Sequence, residues 1–81
     1  MNNIKIGNIY KHFKGNLYKV IDIVYDCEYG DEEHKVVIYE ALYDDHKHWA
    51  RKYDDFASLV DKEKYPDVSQ KFRFELVEHN L

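Results

Sequence analysis

The sequence predicts a mainly β fold, a small SH3-like, partly open barrel of about five antiparallel strands with one short helix. Short runs rich in β-branched and aromatic residues alternate with polar turns along the chain. Aromatic residues make up 16% of the composition, and large rings let a small core bury much apolar area. Only one segment has helical spacing. A small α+β sheet with the helix across one face is the alternative.

The first two strands form a hairpin. Ile9 to Phe13 is a short strand-like run, and Lys14-Gly15-Asn16 is a tight turn whose last two residue types accept a positive φ. Leu17 to Cys27 is the second strand, dominated by residues of high β propensity. A polar loop from Glu28 to Glu33 follows.

The third strand is predicted from His34 to Tyr43, with apolar residues on both faces. One face carries Val36, Ile38 and Leu42, and the other carries Val37, Tyr39, Ala41 and Tyr43. Such a pattern is typical of a central strand or a curved one. Asp44 to Lys47 is a turn, and His48 to Lys52 is a short fourth strand.

The helix is predicted to start at Asp54 or Asp55, as the capping residue, and to run to about Asp61. Its apolar stripe would be Phe56, Leu59 and Val60, which have i, i+3, i+4 spacing. A polar loop then reaches Ser69. The last strand, Lys71 to Val77, alternates charges with Phe72, Phe74 and Leu76, as expected for a strand with one wet face.

Length and composition exclude several classes of protein. The 81 residues make one domain, 1–81, near the size at which a single core is just sufficient. The formal net charge of −4 argues against a phosphate-driven nucleic-acid binder. One cysteine allows no internal disulfide, which suits a reducing compartment. With no signal peptide and no membrane-length apolar run, we expect a cytoplasmic protein.

The opening hairpin carries the first candidate binding residues. Strand alternation places Tyr10, His12 and Lys14 on one face and Phe13 on the other, in the core. His12 is the best single candidate, because its charge can change near neutral pH and its ring can donate or accept a hydrogen bond. The alternative is a structural histidine that hydrogen-bonds a backbone carbonyl and fixes the hairpin.

A second group of candidates lies on the third and fourth strands. Tyr39 and Tyr43 share one strand face, and Trp49 and Arg51 share one face of the next strand. On a concave sheet they would form a patch able to stack on a planar or proline-rich ligand and to pair with a carboxylate or phosphate. Alternatively, the rings fill the core and Arg51 pairs with a nearby acid.

Catalytic and metal sites have little support in the sequence. Asp44-Asp45-His46 and His48 offer two histidines on one strand face, which is a weak zinc pattern. Asp26 and Glu28 flank Cys27 and disfavour the thiolate that a nucleophile needs. There is no phosphate-binding glycine loop. We therefore expect no catalytic residue, metal ligand or cofactor.

Several motifs resemble a known family. They are Tyr10-x-His12-Phe13-Lys14-Gly15-x-x-Tyr18, then Val37-Ile38-Tyr39-x-Ala41-Leu42-Tyr43, then Trp49-x-Arg51, and finally Arg73-Phe74. Together they resemble the bacterial and phage family of small domains of unknown function that is numbered 1653, over about residues 9–76. The resemblance supports the fold and singles out positions, but it implies no reaction or ligand.

Two positions depart from that family's usual pattern. Lys52 stands where a proline usually follows the arginine, and the middle loop reads Asp26-Cys27-Glu28-Tyr29 where the family has a His-Ser-Glu-Thr-like segment. Within this loop only Glu28 matches, so Glu28 joins the candidate binding residues.

Three function hypotheses remain open. The first is a non-enzymatic module that binds a small ligand, peptide or protein through the aromatic, histidine and arginine face. The second is a nucleic-acid-associated accessory domain using a patch of Lys11, Lys14, Lys19, Arg51, Lys52 and Arg73. The third is an enzyme with His12 as acid or base, supported by Glu28 or Arg51. An exposed strand edge would allow either a monomer or a homodimer.

Overall fold

The computed structural model describes residues 3–78, whose strands form one antiparallel sheet. The strands are β1 (Ile9–His12), β2 (Leu17–Tyr25), β3 (Lys35–Ala41), β4 (His48–Lys52) and β5 (Phe74–Glu78), and the helix α1 is Tyr53–Phe56. The order across the sheet is β4-β3-β2-β1-β5, so β4 and β5 are its edges and the sheet is open. The predicted mainly β fold of five antiparallel strands is confirmed, and its likeness to SH3-like barrels stays a prediction.

The opening hairpin forms as expected, with one correction. Tyr10 pairs with Tyr18 across β1 and β2, and Gly15 supplies the positive φ of +109° that the turn requires. Phe13 was expected in the core, but it lies half-buried in the turn. Its ring stacks on His12, with centroids 4.3 Å apart, and contacts Tyr65 at 4.8 Å. The turn therefore carries its own small aromatic cluster.

The central strand β3 shows the predicted alternation. Val37, Tyr39 and Ala41 are buried, and the residues between them are half-buried. Pairing places Tyr39 opposite Val20 on β2 and opposite Trp49 on β4. These residues share one face, called here the inner face of the sheet. The register of β2 shifts between Val20 and Asp22, and such a bulge bends the strand.

The helix differs from the prediction. It spans one turn, Tyr53–Phe56, and its N-cap is Lys52, which makes no side-chain capping bond. Asp54 and Asp55 lie inside the first turn instead of capping it, where negative charge is still favourable. Of the predicted stripe, Phe56 and Val60 are buried, but Leu59 is 57% exposed, and both Leu59 and Val60 lie outside the helix. Leu59 forms an isolated bridge with Phe72.

Phe56 of α1 covers the inner face and completes the core. Its ring stacks on Phe74 of β5, with centroids 3.9 Å apart and planes at 3°. It also meets Tyr10 and Tyr39 edge-on, at 5.8 and 5.1 Å. The other core residues come from the strands and the N-terminal segment, namely Ile4, Tyr10, Val20, Val37, Tyr39 and Phe74.

Candidate functional site

Two of the predicted binding residues are core residues. Tyr10 has no exposed surface, and Tyr39 is 5% exposed. The Tyr10 hydroxyl accepts a hydrogen bond from the Lys5 backbone N–H at 3.0 Å. Neither ring offers a face to solvent, because both are packed in the core, where Phe56 contacts each of them. Their role in the sheet is to support the half-buried residues around them.

His12 lies at the edge of this core, where β1 ends. Its ring is 4.9 Å from the Phe74 ring and 6.4 Å from the Tyr18 ring, measured between centroids. Its Nδ1 accepts a hydrogen bond from the Lys14 backbone N–H at 3.1 Å. The structural reading of this histidine expected a carbonyl partner, but the partner is a donor. Nδ1 therefore carries no proton, and Nε2–H is left as a donor.

Burial, which is the largest cause, and then the positive charges of Arg73, Arg51 and Lys14 together lower the pKa of His12 to about 4. The hydrogen bond from Lys14 acts in the same direction, because it stabilises the unprotonated Nδ1. His12 is therefore a neutral hydrogen-bond donor at physiological pH, placed in a positive local field.

Arg51 and Arg73 supply that field and share one carboxylate. Arg51 Nη1 donates to Asp55 Oδ2 at 2.6 Å, and Arg73 Nη2 lies 3.6 Å from Asp55 Oδ1. Arg51 Nε also donates to the Tyr39 hydroxyl at 3.3 Å, and its guanidinium carbon is 5.9 Å from the Phe74 ring centroid. Arg73 Nε donates to Ser58 Oγ at 3.2 Å.

The arginine charges outnumber the acid that neutralises them. Burial opposes the charge of Arg51, but its hydrogen bonds to Tyr39 and Asp55 outweigh burial and raise its pKa. The Arg51 and Arg73 side chains are 31% and 28% exposed, so N–H groups not used by Asp55 remain open to solvent. Two cations beside one carboxylate favour an anionic ligand.

Two tyrosines extend this surface. The hydroxyl oxygens of Tyr18 and Tyr43 are 2.7 Å apart, and either can be the donor. Burial, with the hydrogen bond to Tyr43, raises the pKa of Tyr18 to about 12, so its hydroxyl keeps its proton. We call the half-buried set that lines this edge of the core the arginine rim, composed of His12, Tyr18, Tyr43, Arg51 and Arg73.

Trp49 and Tyr43 border a small cavity of about 150 Å³. Trp49 is 49% exposed, although it lies opposite the buried Tyr39. Trp49 belongs to the inner face but lies outside the part of that face that Phe56 covers. Because Trp49 and Arg51 are two residues apart on β4, their Cα atoms are about 7 Å apart. An apolar group at Trp49 and an anionic group at Arg51 therefore fit one small ligand.

The other predicted residues are more remote. Lys14 is exposed in the β1–β2 turn, with its Nζ 5.8 Å from the Tyr65 ring centroid. Glu28 is exposed in the turn after β2, whereas His12 lies near the other end of that strand. Since β2 has nine residues, the ends are roughly 30 Å apart. Glu28 therefore does not join the arginine rim. The set of eight residues as a ligand site stays a prediction.

The basic residues of the nucleic-acid hypothesis are divided between two faces. Lys11 pairs with Leu17, and Lys19 pairs with Glu40, on the face opposite to Tyr10 and Tyr39. Lys52 pairs with Val36 on that outer face, whereas Arg51 pairs with the buried Val37. The six predicted residues therefore do not form one patch. Within residues 3–78 no group of three or more His, Cys, Asp or Glu side chains could hold a metal ion.

Tyr18 and Asp55 were missed as candidates, and Arg73 was named only in the basic patch of the nucleic-acid hypothesis. Tyr18 could have been identified from the hairpin register, because a turn at 14–16 places it opposite Tyr10. Arg73 was also part of a family motif, but no partner was predicted for it. Asp55 was treated as a helix cap. Its contacts with Arg51 and Arg73 depend on how α1 docks on β4 and the segment before β5, for which no local pattern exists.

The fold and this rim define a small antiparallel β domain with a cationic edge on an aromatic core. The family "Protein of unknown function (DUF1653)" matches residues 8–76, and the chain belongs to that family. No curated protein and no solved structure matched the chain. In the part of the chain that the structure describes, no helix is long and apolar enough to cross a membrane.

Proposed function

We propose that this domain is a non-enzymatic binding module, which recognises a small ligand or a peptide carrying an anionic group through the arginine rim. One observation carries the proposal: Arg51 and Arg73 share the single carboxylate of Asp55 on a half-exposed aromatic edge. The overall charge of the protein is −4. A concentration of positive charge on an acidic protein favours a specific local anion over a general polyanion.

The neighbouring groups suit such a ligand. His12 Nε2–H and the guanidinium N–H groups are donors, which carboxylate or phosphate oxygens accept. Trp49 and Tyr43 border a cavity of about 150 Å³ together with Asp44, Asp45 and Lys47. An apolar group can pack on its two rings, while the anionic end of the ligand stays at the arginines, away from the two acids. The preferred ligand therefore has an anionic end and an apolar body. An aromatic side chain next to a carboxylate is the simplest example.

The proposal is tested by titrating ¹⁵N-labelled protein with 3-phenylpropionate and recording amide, indole and arginine Nε–H spectra. We expect saturable shifts of Trp49 Nε1–H and of the Arg51 and Arg73 Nε–H signals. The neutral amide of the same compound is the control for apolar packing. Equal binding of the acid and the amide, or no shift at these three residues, would reject the proposal.

Two substitutions sharpen this test. Arg51→Gln removes a charge-assisted donor and is expected to weaken binding about tenfold. Lys52→Gln is the matched control, since Lys52 is the next residue on β4 but faces the outer side of the sheet. We expect less than a twofold change for Lys52→Gln. Retained tight binding by a folded Arg51→Gln protein would rule out the arginine rim as the site.

The pKa of His12 provides an independent readout. A bound anion offsets the charges of Arg73, Arg51 and Lys14, which now depress that pKa. The His12 pKa should therefore rise in the complex. Titration of the His12 ring signals with and without 3-phenylpropionate measures this. An unchanged pKa at saturation would place the anion elsewhere.

A further inference from the structure

A larger cavity lies on the other side of Asp55. It occupies about 370 Å³ between the β2–β3 connection and the first turn of α1. That volume is within the range of small-molecule sites, although at its small end. None of the eight residues predicted from the sequence borders this cavity. We call it the loop cavity.

One wall of the loop cavity is built from a stacked aromatic pair. The Tyr29 and His34 rings are parallel within 9°, with centroids 3.7 Å apart. His34 Nδ1 also lies 2.9 Å from Asp31 Oδ2, and Asp31 Oδ1 accepts the backbone N–H groups of Glu33 and His34 at 3.0 Å each. These bonds fix the connection that carries Tyr29. The wall is therefore formed before any ligand arrives.

The opposite wall carries Tyr53 of α1, whose ring already receives an ammonium group. Lys35 Nζ lies 5.7 Å from the Tyr53 ring centroid, within the range of a cation–π contact. The hydroxyl of Tyr53 accepts the Ile4 backbone N–H at 3.3 Å, which anchors the ring. The Tyr53 ring can therefore hold an ammonium group, and a ligand cation would take that place by displacing Lys35 Nζ.

The charges that line the loop cavity are mainly negative. Its four carboxylates are Asp26, Glu33, Asp54 and Asp55, against the ammonium groups of Lys35 and Lys52. Asp55 is paired with Arg51 and Arg73. Across residues 3–78, no ion pair involves Asp26, Glu33 or Asp54. These three unpaired carboxylates outnumber the two ammonium groups, so the cavity attracts a positively charged group more than an anion.

A metal ion does not fit this arrangement. Residues 3–78 contain no cluster of three or more potential metal-ligating side chains. A bare divalent ion needs several oxygen ligands within about 2.0–2.6 Å. An organic cation requires less, since its charge is spread over a larger body and its apolar part packs on rings.

We propose that the loop cavity binds a small organic ammonium group with an aromatic or aliphatic body, held between Tyr29 and Tyr53 and paired with Glu33 and Asp54. This site differs from the arginine rim in its ligand preference, because the two regions favour ligands of opposite charge.

The test is an NMR titration with phenethylammonium, its neutral analogue 2-phenylethanol and its anionic counterpart 3-phenylpropionate. We expect phenethylammonium to shift the ring signals of Tyr29, His34 and Tyr53, and to leave Trp49 Nε1–H unchanged. The shifts should decrease with added salt, since the pairing is exposed. Equal shifts of these rings by the alcohol, or stronger shifts by the acid, would overturn the proposal.

Matched variants locate the charge. The double change Glu33→Gln and Asp54→Asn should weaken phenethylammonium binding about two- to fivefold, as expected for partly exposed ion pairs. Glu32→Gln is the control, since Glu32 is exposed and adjacent but does not line the cavity. For the ring, Tyr29→Leu is compared with Tyr25→Leu, because both tyrosines are exposed, at 51% and 58%. Equal losses in variant and control would place the ammonium group outside the cavity.

Discussion

The arginine rim and the loop cavity meet at two neighbouring residues of the same type. Asp55 binds Arg51 and Arg73, whereas Asp54 has no ion pair in the described part of the chain. Successive residues on a helix point about 100° apart, so one short turn presents its two carboxylates to different surroundings. The comparison shows that residue type alone does not define a site. The partner that the fold brings to each carboxylate decides its role.

The largest effect is expected from a substitution that loosens α1, the element that the two regions share. Phe56→Ala should lower the free energy of unfolding by about 3–5 kcal/mol, since Phe56 is completely buried among Tyr10, Tyr39 and Phe74. Urea denaturation measures the loss. The rim and the cavity should lose ligand binding together, because α1 positions both.

Leu59→Ala is the control for Phe56→Ala, because Leu59 follows α1 closely but is 57% exposed. We expect a change of less than about 1 kcal/mol in its free energy of unfolding. Equal losses in the two variants would mean that Phe56 does not hold α1 on the sheet.

An intermediate effect concerns acid stability at the rim. The folded pKa of His12 is about 4, below its value of about 6.5 in the unfolded chain. Between these values the unfolded state binds more protons, so stability falls as the pH is lowered from about 6.5 to 4. After a reduction for solvent screening, we expect His12 to contribute about 1–2 kcal/mol to this loss.

His12→Gln should remove that part of the acid sensitivity, as measured by denaturation curves at a series of pH values. If His12→Gln retains the same slope of stability against pH as the wild type, His12 is not the neutral, half-buried group described above.

The smallest effect is expected from substitutions that distinguish the carboxylate of Asp55 from that of Asp54. Asp55→Asn removes the internal competitor for Arg51 and Arg73, and should tighten 3-phenylpropionate binding at the rim about two- to fivefold. Asp54→Asn should leave that affinity unchanged and weaken phenethylammonium binding in the cavity. Calorimetric or NMR titration of both variants with both probes measures this crossed pattern. A weaker affinity of Asp55→Asn for the acid would show that Asp55 orients the arginines rather than competing for them.

Much of the sheet could be predicted from local patterns. The alternation along β3 identified the face of Val37, Tyr39 and Ala41, and the turn at Gly15 set the β1–β2 pairing. The helix was less predictable, since one turn of helix carries too little periodicity to define its ends. Its start at Tyr53 and the exposure of Leu59 depend on tertiary packing.

The candidate site was also predictable only in part, because strand alternation is a local pattern and the docking of α1 is not. Alternation grouped Tyr39, Trp49 and Arg51 on one face, as the strand pairing shows, but Tyr43 lies beyond the end of β3. The pattern also could not tell which residues Phe56 would cover. Burial of Tyr39 and exposure of Trp49 follow from where α1 docks. The loop cavity had no sequence signal, because it is formed by two segments brought together by the fold.

The pairing of β5 with β1 has a consequence for synthesis of the chain. His12 pairs with Phe74, 62 positions later, and Phe74 is the ring on which Phe56, Tyr39 and Tyr18 pack. On the ribosome, residues 9–52 can form the β1–β4 meander as they emerge, but the core lacks its central ring until residue 74 leaves the exit tunnel. A nascent chain stalled before that point would expose Tyr10 and Phe56 to water. At that stage of synthesis we expect the domain to be most accessible to chaperones and most prone to aggregation.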